Sequence, residues 1–414
     1  MNILFLTMFK ILNVDTRGIY SDLLRRFRED GHTVYVVTPS ERRDGNNTRV
    51  IEVNDVKILS VRTLNVEKSN VIEKGLGQIS IEYLYKRAIK KYFSGVSFDL
   101  ILYSTPPITL SKVIEYLKRE NPYARTYLLL KDIFPQNAVD MGMLSKNGIK
   151  GILYKFFRTK EQKLYALSDY IGCMSPANVS YVLEHNPEIL ESRVEVAPNS
   201  LELVEAASNP PVTCVEDLPN SLLSLLPSCL VDSFLTGKPV FIYGGNLGVP
   251  QGIPFLIECL EANADRDDCH FLVVGTGTYS QRLADWYGTR KPKAVSVMKG
   301  LPKEYYDMLV QVCQVGLIFL DYRFTIPNFP SRLLSYLEYK MPIIACTDSC
   351  SDIGSIAESN GFGFYVPSNN VESFSKVVTK MLSSDMVAMG KKGYQYLKEN
   401  YLVENTYNQI MKHL

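Results

Sequence analysis

The stretch FIYGGNLGVPQGIPFLIECL, residues 241–260, decides the fold of this chain. Its first residues are apolar and indicate a buried strand, and the residues from Ile253 onward follow the spacing of an amphipathic helix. Between them, Gly244, Gly245 and Gly248 leave the backbone bare and permit positive φ. Such a loop predicts either a tight connection and nothing more, or an anion site at the start of the helix. The loop alone leaves both interpretations open.

Both halves of the chain alternate short apolar runs with helical segments, which is typical of parallel sheets covered on both faces. We therefore predict an α/β fold of two doubly wound, Rossmann-like domains facing across a cleft, with ligands at the carboxyl ends of the strands. The expected domains are residues 1–205 and 206–390, followed by a C-terminal helix over 391–414 that packs back on the first domain. The expected strands cover residues 2–6, 33–37, 56–61, 99–104, 126–130, 170–175 and 194–199 in the first half, and 239–245, 270–275, 294–300, 315–320, 342–347 and 363–366 in the second.

The composition is that of a globular protein, since 46% of the 414 residues are hydrophobic and 21% are charged. The N-terminus has no basic segment and no small-residue cleavage site, so residues 2–6 are interpreted as a strand rather than a signal peptide. No apolar run reaches the ~18 residues that a membrane-spanning helix needs. The eight cysteines lack metal-ligand spacing, which predicts free thiols in a reducing cytoplasm and no zinc site.

Charge is spread unevenly along the chain. Residues 1–200 hold 28 Lys and Arg against 22 Asp and Glu, whereas the remainder holds 17 against 22. Two segments of the first half, KRAIKKYF (86–93) and KNGIKGILYKFFRTKEQK (146–163), mix cations with apolar residues, as helices on an anionic membrane surface do. The alternative is a solvated basic face over a core helix, and nucleic acid is not expected as a partner because no reading motif accompanies the charge. The residues assigned to an acceptor- and membrane-facing surface are Lys150, Lys155, Phe156, Phe157 and Arg158.

Three later segments repeat the design of strand, loop and helix. They are VVGTGTYSQRL (273–283), VSVMKGLPKEYY (295–306) and IPNFPSRLLSYLEYKMPIIACT (326–347). The last places Arg332 near the start of a helix, where a cation is unfavourable against the helix dipole. A bound diphosphate would offset that cost and accept a fork of hydrogen bonds, so Arg332 is predicted to hold phosphate. The alternative is a solvated surface arginine.

The order GGNLG…QG, VGTG, KGLPKEYY and PSRLLSYLEYKMPII resembles the C-terminal domain of the GT-B glycosyltransferases of family 4, and the match covers most of residues 239–385. In the first half, DTRGIYSDLLRRFREDGHTVYVVTP (15–39) resembles the first glycine turn of that family. LLLKDIFPQNAVDMGML (128–144) resembles a segment of a subgroup that transfers amino or deoxy-amino sugars, such as N-acetyl-L-fucosamine, in bacterial O-antigen or capsule assembly. The resemblance implies a GT-B fold with an acceptor-binding first domain and a nucleotide-sugar-binding second domain.

The resemblance also implies a donor site. Its expected residues are Gly18, Gly244, Gly245, Asn246, Gly248, Gln251, Gly275, Gly277, Lys299, Leu301, Asn328, Phe329, Ser331, Ser335 and Glu338, with Arg332 as a catalytic residue. The chain departs from the family pattern in two places. Pro327 and Ser335 occupy positions where the family has two glutamates, the second of which grips the ribose, and Gln251 replaces a lysine. Positive charge near the diphosphate therefore depends largely on Arg332.

Asp132 is the expected catalytic residue on the acceptor side, because it follows a predicted buried strand, where a carboxylate can orient an acceptor hydroxyl or accept its proton. The alternative is a helix-capping or loop aspartate. Sugar transfer needs a stabilised leaving diphosphate and an acceptor held in line. With Arg332 and helix dipoles taking the charge, neither a metal nor another cofactor is expected. Retention of the anomeric configuration is implied by the resemblance alone.

The function expected from these features is transfer of a sugar, of the N-acetylated amino or deoxy-amino type, from a UDP-sugar to a lipid-linked oligosaccharide in bacterial surface polysaccharide synthesis. The expected location is the cytoplasm, peripheral to the inner face of the inner membrane. One alternative is a nucleotide-sugar 2-epimerase, which shares the two-domain architecture. Another is a non-catalytic protein that binds sugar nucleotides. Turnover of the donor distinguishes the transferase from the non-catalytic binding protein. Dependence of the reaction on an acceptor distinguishes the transferase from the epimerase.

Overall fold

The computed structural model describes residues 1–65, 71–203 and 212–414. The chain divides into two compact units. Unit 1 comprises Met1–Glu202 and Tyr401–Leu414, and unit 2 comprises Leu203–Asn400. The domain boundary expected between residues 205 and 206 lies three residues further along the chain than the observed boundary between residues 202 and 203.

Unit 1 contains an eight-stranded sheet in which the first strand lies in the interior. The strands are β1 (Asn2–Leu6), β2 (Thr33–Glu41), β3 (Arg49–Val53), β4 (Val56–Thr63), β5 (Leu100–Ser104), β6 (Arg125–Leu130), β7 (Tyr170–Cys173) and β8 (Val194–Val196), in the order β3-β4-β2-β1-β5-β6-β7-β8. All neighbours are parallel except β3 and β4. The sequence analysis missed β3 because Arg49 and Glu52 make it polar. The signal it overlooked is the turn Asn54-Asp55, whose two positive φ angles are those of a tight hairpin.

Helices cover both faces of this sheet, as predicted. Alternate residues of β1 lie on opposite faces of the sheet. Leu4 and Leu6 belong to one apolar cluster, and Ile3 and Phe5 belong to the other. The helices of this part of the chain are α1 (Ser21–Glu29), α2 (Val71–Tyr92), α3 (Ser111–Glu120), α4 (Gln136–Asp140), α5 (Gly148–Leu167) and α6 (Pro176–His185). The first cluster contains residues of α2, α3 and α5, and the second contains the buried face of α1.

Unit 2 contains a six-stranded sheet whose strands are all parallel. They are β9 (Val240–Asn246), β10 (His270–Thr276), β11 (Val295–Lys299), β12 (Val315–Phe319), β13 (Ile343–Thr347) and β14 (Gly363–Pro367), in the order β11-β10-β9-β12-β13-β14. The order reverses between β9 and β12, and sheets of this kind bind ligands at the carboxyl ends of the strands beside such a reversal. The helices are α7 (Asn220–Leu223), α8 (Ser228–Leu235), α9 (Ile253–Ala262), α10 (Ser280–Arg290), α11 (Lys303–Gln311), α12 (Arg332–Glu338), α13 (Ile353–Ser359), α14 (Val371–Leu382) and α15 (Met386–Asn400).

The single C-terminal helix expected over residues 391–414 is wrong. The chain forms α15 in unit 2 and then α16 (Val403–Met411), which belongs to unit 1. The break falls where Leu402 forms a bridge with Leu201, so the backbone there is extended. α16 packs on α1 through Tyr407, whose ring lies 5.0 Å from that of Phe27. The break lets the buried face of α16 join the second apolar cluster of unit 1.

A buried histidine is expected to make the stability of unit 2 depend on pH. His270 begins β10, and its two ring nitrogens lie 3.1 Å from Ser233 Oγ and 2.8 Å from Ser296 Oγ. Burial lowers the pKa of His270 from 6.5 to about 4. The unfolded chain therefore binds a proton at a higher pH than the folded chain does. The free energy of unfolding is expected to be unaffected by His270 above pH 6.5 and to fall by about 3 kcal/mol between pH 6.5 and 4.

Fluorescence of Trp286, the only tryptophan of the chain, reports unfolding of unit 2 in urea at a series of pH values. A His270→Asn variant is expected to be less stable at neutral pH but to lack most of this acid-dependent loss. Identical pH slopes in the variant and the wild type would contradict the assignment to His270.

Candidate functional site

Two glycine-containing loops lie against each other at the carboxyl ends of β9 and β10. Gly245 of β9 is paired in register with Gly275 of β10. A Cβ on Gly275 would lie 2.1 Å from the carbonyl oxygen of Gly245, and a Cβ on Gly277 would lie 2.5 Å from the carbonyl carbon of Leu247. Both distances are too short for real atoms. Gly275 and Gly277 are therefore required by the close approach of the two loops, whether or not a ligand is bound.

The lack of a side chain at Gly244 has a different reason from the anion site that the sequence suggested. A Cβ at this position would lie 1.9 Å from the hydroxyl oxygen of Tyr306, a residue of α11. The space beside Gly244 is thus filled by a tyrosine of the same unit, so the missing side chain does not expose backbone to an anion on that side. Packing against Tyr306 accounts for this glycine, a reason that differs from both the tight connection and the anion site that the sequence left open.

The next residues form an open turn that enters α9. Gly245 has a φ of +123° and Gly252 a φ of +55°, both in the region that favours glycine. Between them, Asn246 Nδ2 donates to Gln251 Oε1 at 2.9 Å. A Cβ on Gly248 would lie within 3 Å of both of these amide groups. The turn is therefore framed by a neutral pair of carboxamides at the position where the resemblance implies a lysine.

Arg332 reaches this turn from the first residue of α12. Its Cζ atom lies 4.4 Å from the centre of the Tyr243 ring, and its Nη2 atom would lie 3.5 Å from a Cβ on Gly245. Its Nη1 atom is buried and has no hydrogen-bond partner among the described residues. The solvated surface arginine, which was the alternative, does not describe this side chain. A buried donor without a partner costs about 1 to 3 kcal/mol, so a ligand that accepts from Nη1 recovers that free energy.

Three tyrosines surround the guanidinium without cancelling its charge. Tyr243 lies under it, and Tyr306 and Tyr336 lie nearby, where they also interact with each other. Burial raises the pKa of Tyr336 to about 12 and that of Tyr306 well above its ordinary value, so both remain neutral phenols. The sequence analysis missed these tyrosines. The available signal was Tyr336, which follows Arg332 by four residues and so shares its helix face.

The other expected donor residues of unit 2 lie at the ends of neighbouring strands or on α12. Lys299 ends β11 and is exposed, and Leu301 follows it. Ser331 immediately precedes α12, and Ser335 and Glu338 lie on it. The backbone of Asn328 donates to Ser351 Oγ at 3.0 Å, and Phe329 is half-buried beside it. Lys299 and Leu301 therefore lie in the segment between β11 and α11, whereas the other five lie in or just before α12. Their contact with a donor stays a prediction.

Unit 1 contains the two expected residues of the first half. Asp132 follows β6, where its backbone N–H lies 3.3 Å from Thr105 Oγ1 and its Oδ1 accepts from Asn137 Nδ2 at 2.7 Å. Gly18 precedes α1, and a Cβ there would meet only Ser21 Oγ, at 3.7 Å. The fold of unit 1 therefore does not require glycine at position 18, whereas the fold of unit 2 requires it at positions 275 and 277. Both roles stay predictions.

Five residues of α5 were assigned to an acceptor- and membrane-facing surface, and two of them make contacts inside unit 1 instead. Phe157 is buried, with its ring 5.0 Å from that of Phe134. Arg158 pairs with the buried Glu161 and donates to the carbonyl of His185 at 2.7 Å. On a helix of 3.6 residues per turn, Phe157 lies about a quarter of a turn and Arg158 about half a turn from Phe156. Phe157 therefore belongs to the interior of unit 1, and the half-buried guanidinium of Arg158 is engaged within the unit. The other three, Lys150, Lys155 and Phe156, are exposed.

Two searches of the described ranges give further facts. Across residues 1–65, 71–203 and 212–414, no group of three or more His, Cys, Asp or Glu side chains is placed to hold a metal ion. Over the same ranges, no helix combines the length and the apolar character needed to cross a bilayer. All eight cysteines are free thiols.

Comparisons with known proteins identify similar sequences and similar folds. Residues 232–401 match the family model described as glycosyl transferases group 1. A curated relative, the probable glycosyltransferase WbjE of Pseudomonas aeruginosa, is 21% identical over 81% of this chain and 78% of its own length.

Solved structures share the fold across the whole chain. Sucrose-phosphate synthase of Thermosynechococcus elongatus is similar with a TM-score of 0.74 at 15% identity, over 99% of this chain and 97% of its own. HepE of Anabaena, solved in complex with UDP, is similar with a TM-score of 0.65 at 12% identity, over 100% and 99%. The fold is therefore the two-domain GT-B fold. Residues 232–401 form a domain of the glycosyl transferases group 1 type, and the chain is a glycosyltransferase.

Proposed function

We propose that the chain transfers a sugar from a UDP-sugar, and that Arg332 holds the diphosphate against the turn of residues 245–248. The observation that carries the proposal is the buried Nη1 of Arg332, which lacks a partner among the described residues. Diphosphate oxygens are strong acceptors with the fork geometry that a guanidinium matches. The turn lies where the strand order of unit 2 reverses, which is the expected place for a nucleotide.

The same charge serves the chemistry. Negative charge grows on the diphosphate as the bond to the sugar breaks, and a fixed cation in a partly dry site stabilises it more than water does. The three neutral tyrosines hold the guanidinium in place, so no reorganisation is needed at that moment. Arg332 thus supplies the stabilisation that a metal ion supplies in other transferases, and we propose a metal-independent reaction. Retention of configuration is part of the proposal on the strength of the resemblance.

The finer assignments rest on the relatives and on the resemblance. HepE of Anabaena was solved with UDP, which supports uracil as the base. WbjE of Pseudomonas aeruginosa is a probable glycosyltransferase and supports glycosyl transfer. The resemblance of residues 128–144 is the basis for proposing bacterial surface polysaccharide synthesis, an N-acetylated amino or deoxy-amino sugar and a lipid-linked acceptor. In unit 1, Asp132 is the proposed group that orients the acceptor hydroxyl.

A thermal-shift panel tests the donor assignment. The purified chain is heated with UDP, GDP, ADP, CMP or dTDP, each with and without EDTA. We expect stabilisation by UDP that persists in EDTA, because a ligand that binds only the folded state raises the unfolding temperature. If no nucleoside diphosphate stabilises the chain, or if EDTA abolishes the shift, the proposed metal-independent site is wrong.

A turnover assay separates transfer from epimerisation. UDP release from UDP-N-acetylhexosamines is measured with and without a polyprenyl diphosphate sugar as acceptor. The proposal requires release that depends on the acceptor. A 2-epimerase would change the sugar without any acceptor, and a non-catalytic protein would bind UDP without turnover.

A further inference from the structure

The outer face of α5 is apolar where a solvated helix would be polar. Ile149, Ile152, Leu153 and Phe156 recur at the spacing of one helix face and are 88%, 71%, 42% and 42% exposed. Met143, just before the helix, is 59% exposed. Single exposed apolar residues are ordinary, but a contiguous row of them on one helix marks an interaction site.

The core of unit 1 does not account for this row. The inner face of α5 is formed by other residues, among them Phe157, Leu164 and Tyr165, all of which are buried. The helix therefore has an apolar face on each side, one packed on unit 1 and the other directed outward. A helix that is apolar on two sides contacts something on both of them.

The exposed charged side chains within and just before the apolar row of α5 all have one sign. Between residues 143 and 160, the exposed charged side chains are Lys146, Lys150 and Lys155. The one acid of α5 is Glu161, which is buried and paired with Arg158, so it does not reduce this outward positive charge. Lysine side chains beside an apolar row can extend their ammonium groups to lipid phosphates while their methylene stems cover apolar surface.

The geometry points to a lipid surface as the occupant: the outer face of α5 lies in the headgroup region of a bilayer that contains anionic phospholipid. The apolar row enters the acyl boundary and the lysines contact phosphate, as in amphipathic helices that lie in the plane of the interface. This inference rests on the proposed function, because an enzyme with a lipid-linked acceptor meets that acceptor at a membrane surface. It also specifies the partner that the function implies.

Vesicle flotation with the full chain tests this face. The vesicles are phosphatidylcholine alone or phosphatidylcholine mixed with phosphatidylglycerol, and contain neither nucleotide nor sugar. We expect binding to the mixed vesicles that weakens with added salt. Ile152→Ser combined with Phe156→Ser is expected to weaken it at least about 10-fold, and Lys150→Gln combined with Lys155→Gln about 10-fold.

The matched control removes exposed apolar residues elsewhere. Leu235 and Val387 of unit 2 are 58% and 67% exposed, and Leu235→Ser combined with Val387→Ser is expected to bind vesicles like the wild type. All of these positions are exposed, so circular dichroism should show unchanged folds. Three results would overturn the inference: wild-type chain that does not float with mixed vesicles, a face variant that floats like wild type, or a lipid-free dimer that the face substitutions dissociate.

Because the vesicles carry no donor or acceptor, flotation is independent of catalysis. If the chain binds vesicles but fails the turnover assay, the lipid-facing surface is supported and the proposed function is wrong. If the chain transfers sugar but does not float with vesicles, the proposed function is supported and the lipid-facing surface is wrong.

Discussion

Replacing Arg332 with methionine is expected to weaken the binding of UDP by about 100-fold. The diphosphate loses charge-assisted hydrogen bonds worth roughly 1.5 to 3 kcal/mol, and a tenfold change corresponds to about 1.4 kcal/mol. Methionine is unbranched and reaches about as far as the arginine Nε, so the substitution removes the guanidinium and its charge while keeping an apolar stem in place.

The same variant is expected to fold as stably as the wild type, or more stably, when no nucleotide is present. The cation–π contact of Arg332 with Tyr243, at 4.4 Å, contributes about 1 kcal/mol. The buried Nη1 without a partner costs about 1 to 3 kcal/mol, and methionine removes that cost. Loss of UDP affinity without loss of unfolding free energy would indicate that Arg332 binds the nucleotide and does not stabilise the fold.

Calorimetric titration with UDP and urea unfolding without nucleotide are the two measurements. The matched control is Arg290→Met, because Arg290 already pairs with Glu261 at 2.9 Å and with Asp265 at 2.6 Å. That control is expected to bind UDP like the wild type. Unchanged UDP affinity in the Arg332 variant would place the diphosphate elsewhere, and a large loss of stability would make Arg332 a structural residue.

Replacing Gly275 with alanine is expected to damage both the fold of unit 2 and its nucleotide site. The new Cβ would lie 2.1 Å from the carbonyl oxygen of Gly245, on a paired strand, so relief requires backbone movement. Overpacking of this kind costs about 3 kcal/mol of unfolding free energy. The backbone that must move includes the turn beneath Arg332, so UDP affinity is expected to fall about 10-fold or more.

Gly288→Ala is the matched control for that substitution. Gly288 lies inside α10, and a Cβ there would have no atom within 4 Å. Alanine at this position is expected to raise the free energy of unfolding by about 0.5 to 1 kcal/mol, because glycine weakens a helix interior. Unfolding followed by Trp286 fluorescence compares the two variants. A Gly275 variant as stable as wild type would show that the two loops separate freely.

The strands and the loops between them could be predicted because both leave local patterns. Continuous apolar runs such as residues 270–275 and 315–320 appear in the structure as β10 and β12 with bounds within one residue. The polar β3 was missed, since its hairpin shows only in the turn. The break between α15 and α16 was missed for a similar reason, because it depends on the contact of Leu402 with Leu201, which is distant in sequence.

The role of each glycine could not be predicted, because it depends on what lies opposite. Gly244, Gly245 and Gly275 look alike in the sequence, but the first makes room for Tyr306, the second has positive φ and the third makes room for the backbone of β9. The same limit applied to α5, where Phe156 and Phe157 are adjacent and one is exposed while the other is buried. Packing partners decide such differences, and they come from distant parts of the chain.

The sequence by itself determined two doubly wound sheets and the loop at residues 244–248, and it predicted Arg332 as a phosphate-binding residue, because periodicity, glycine placement and a cation at a helix start are local features. Only the tertiary structure decided that the guanidinium of Arg332 lies over Tyr243, that three neutral tyrosines surround it, and that Nη1 is left without a partner among the described residues. The physical reason is that β9, α11 and α12 are separated along the chain and meet only where the strand order of the sheet reverses.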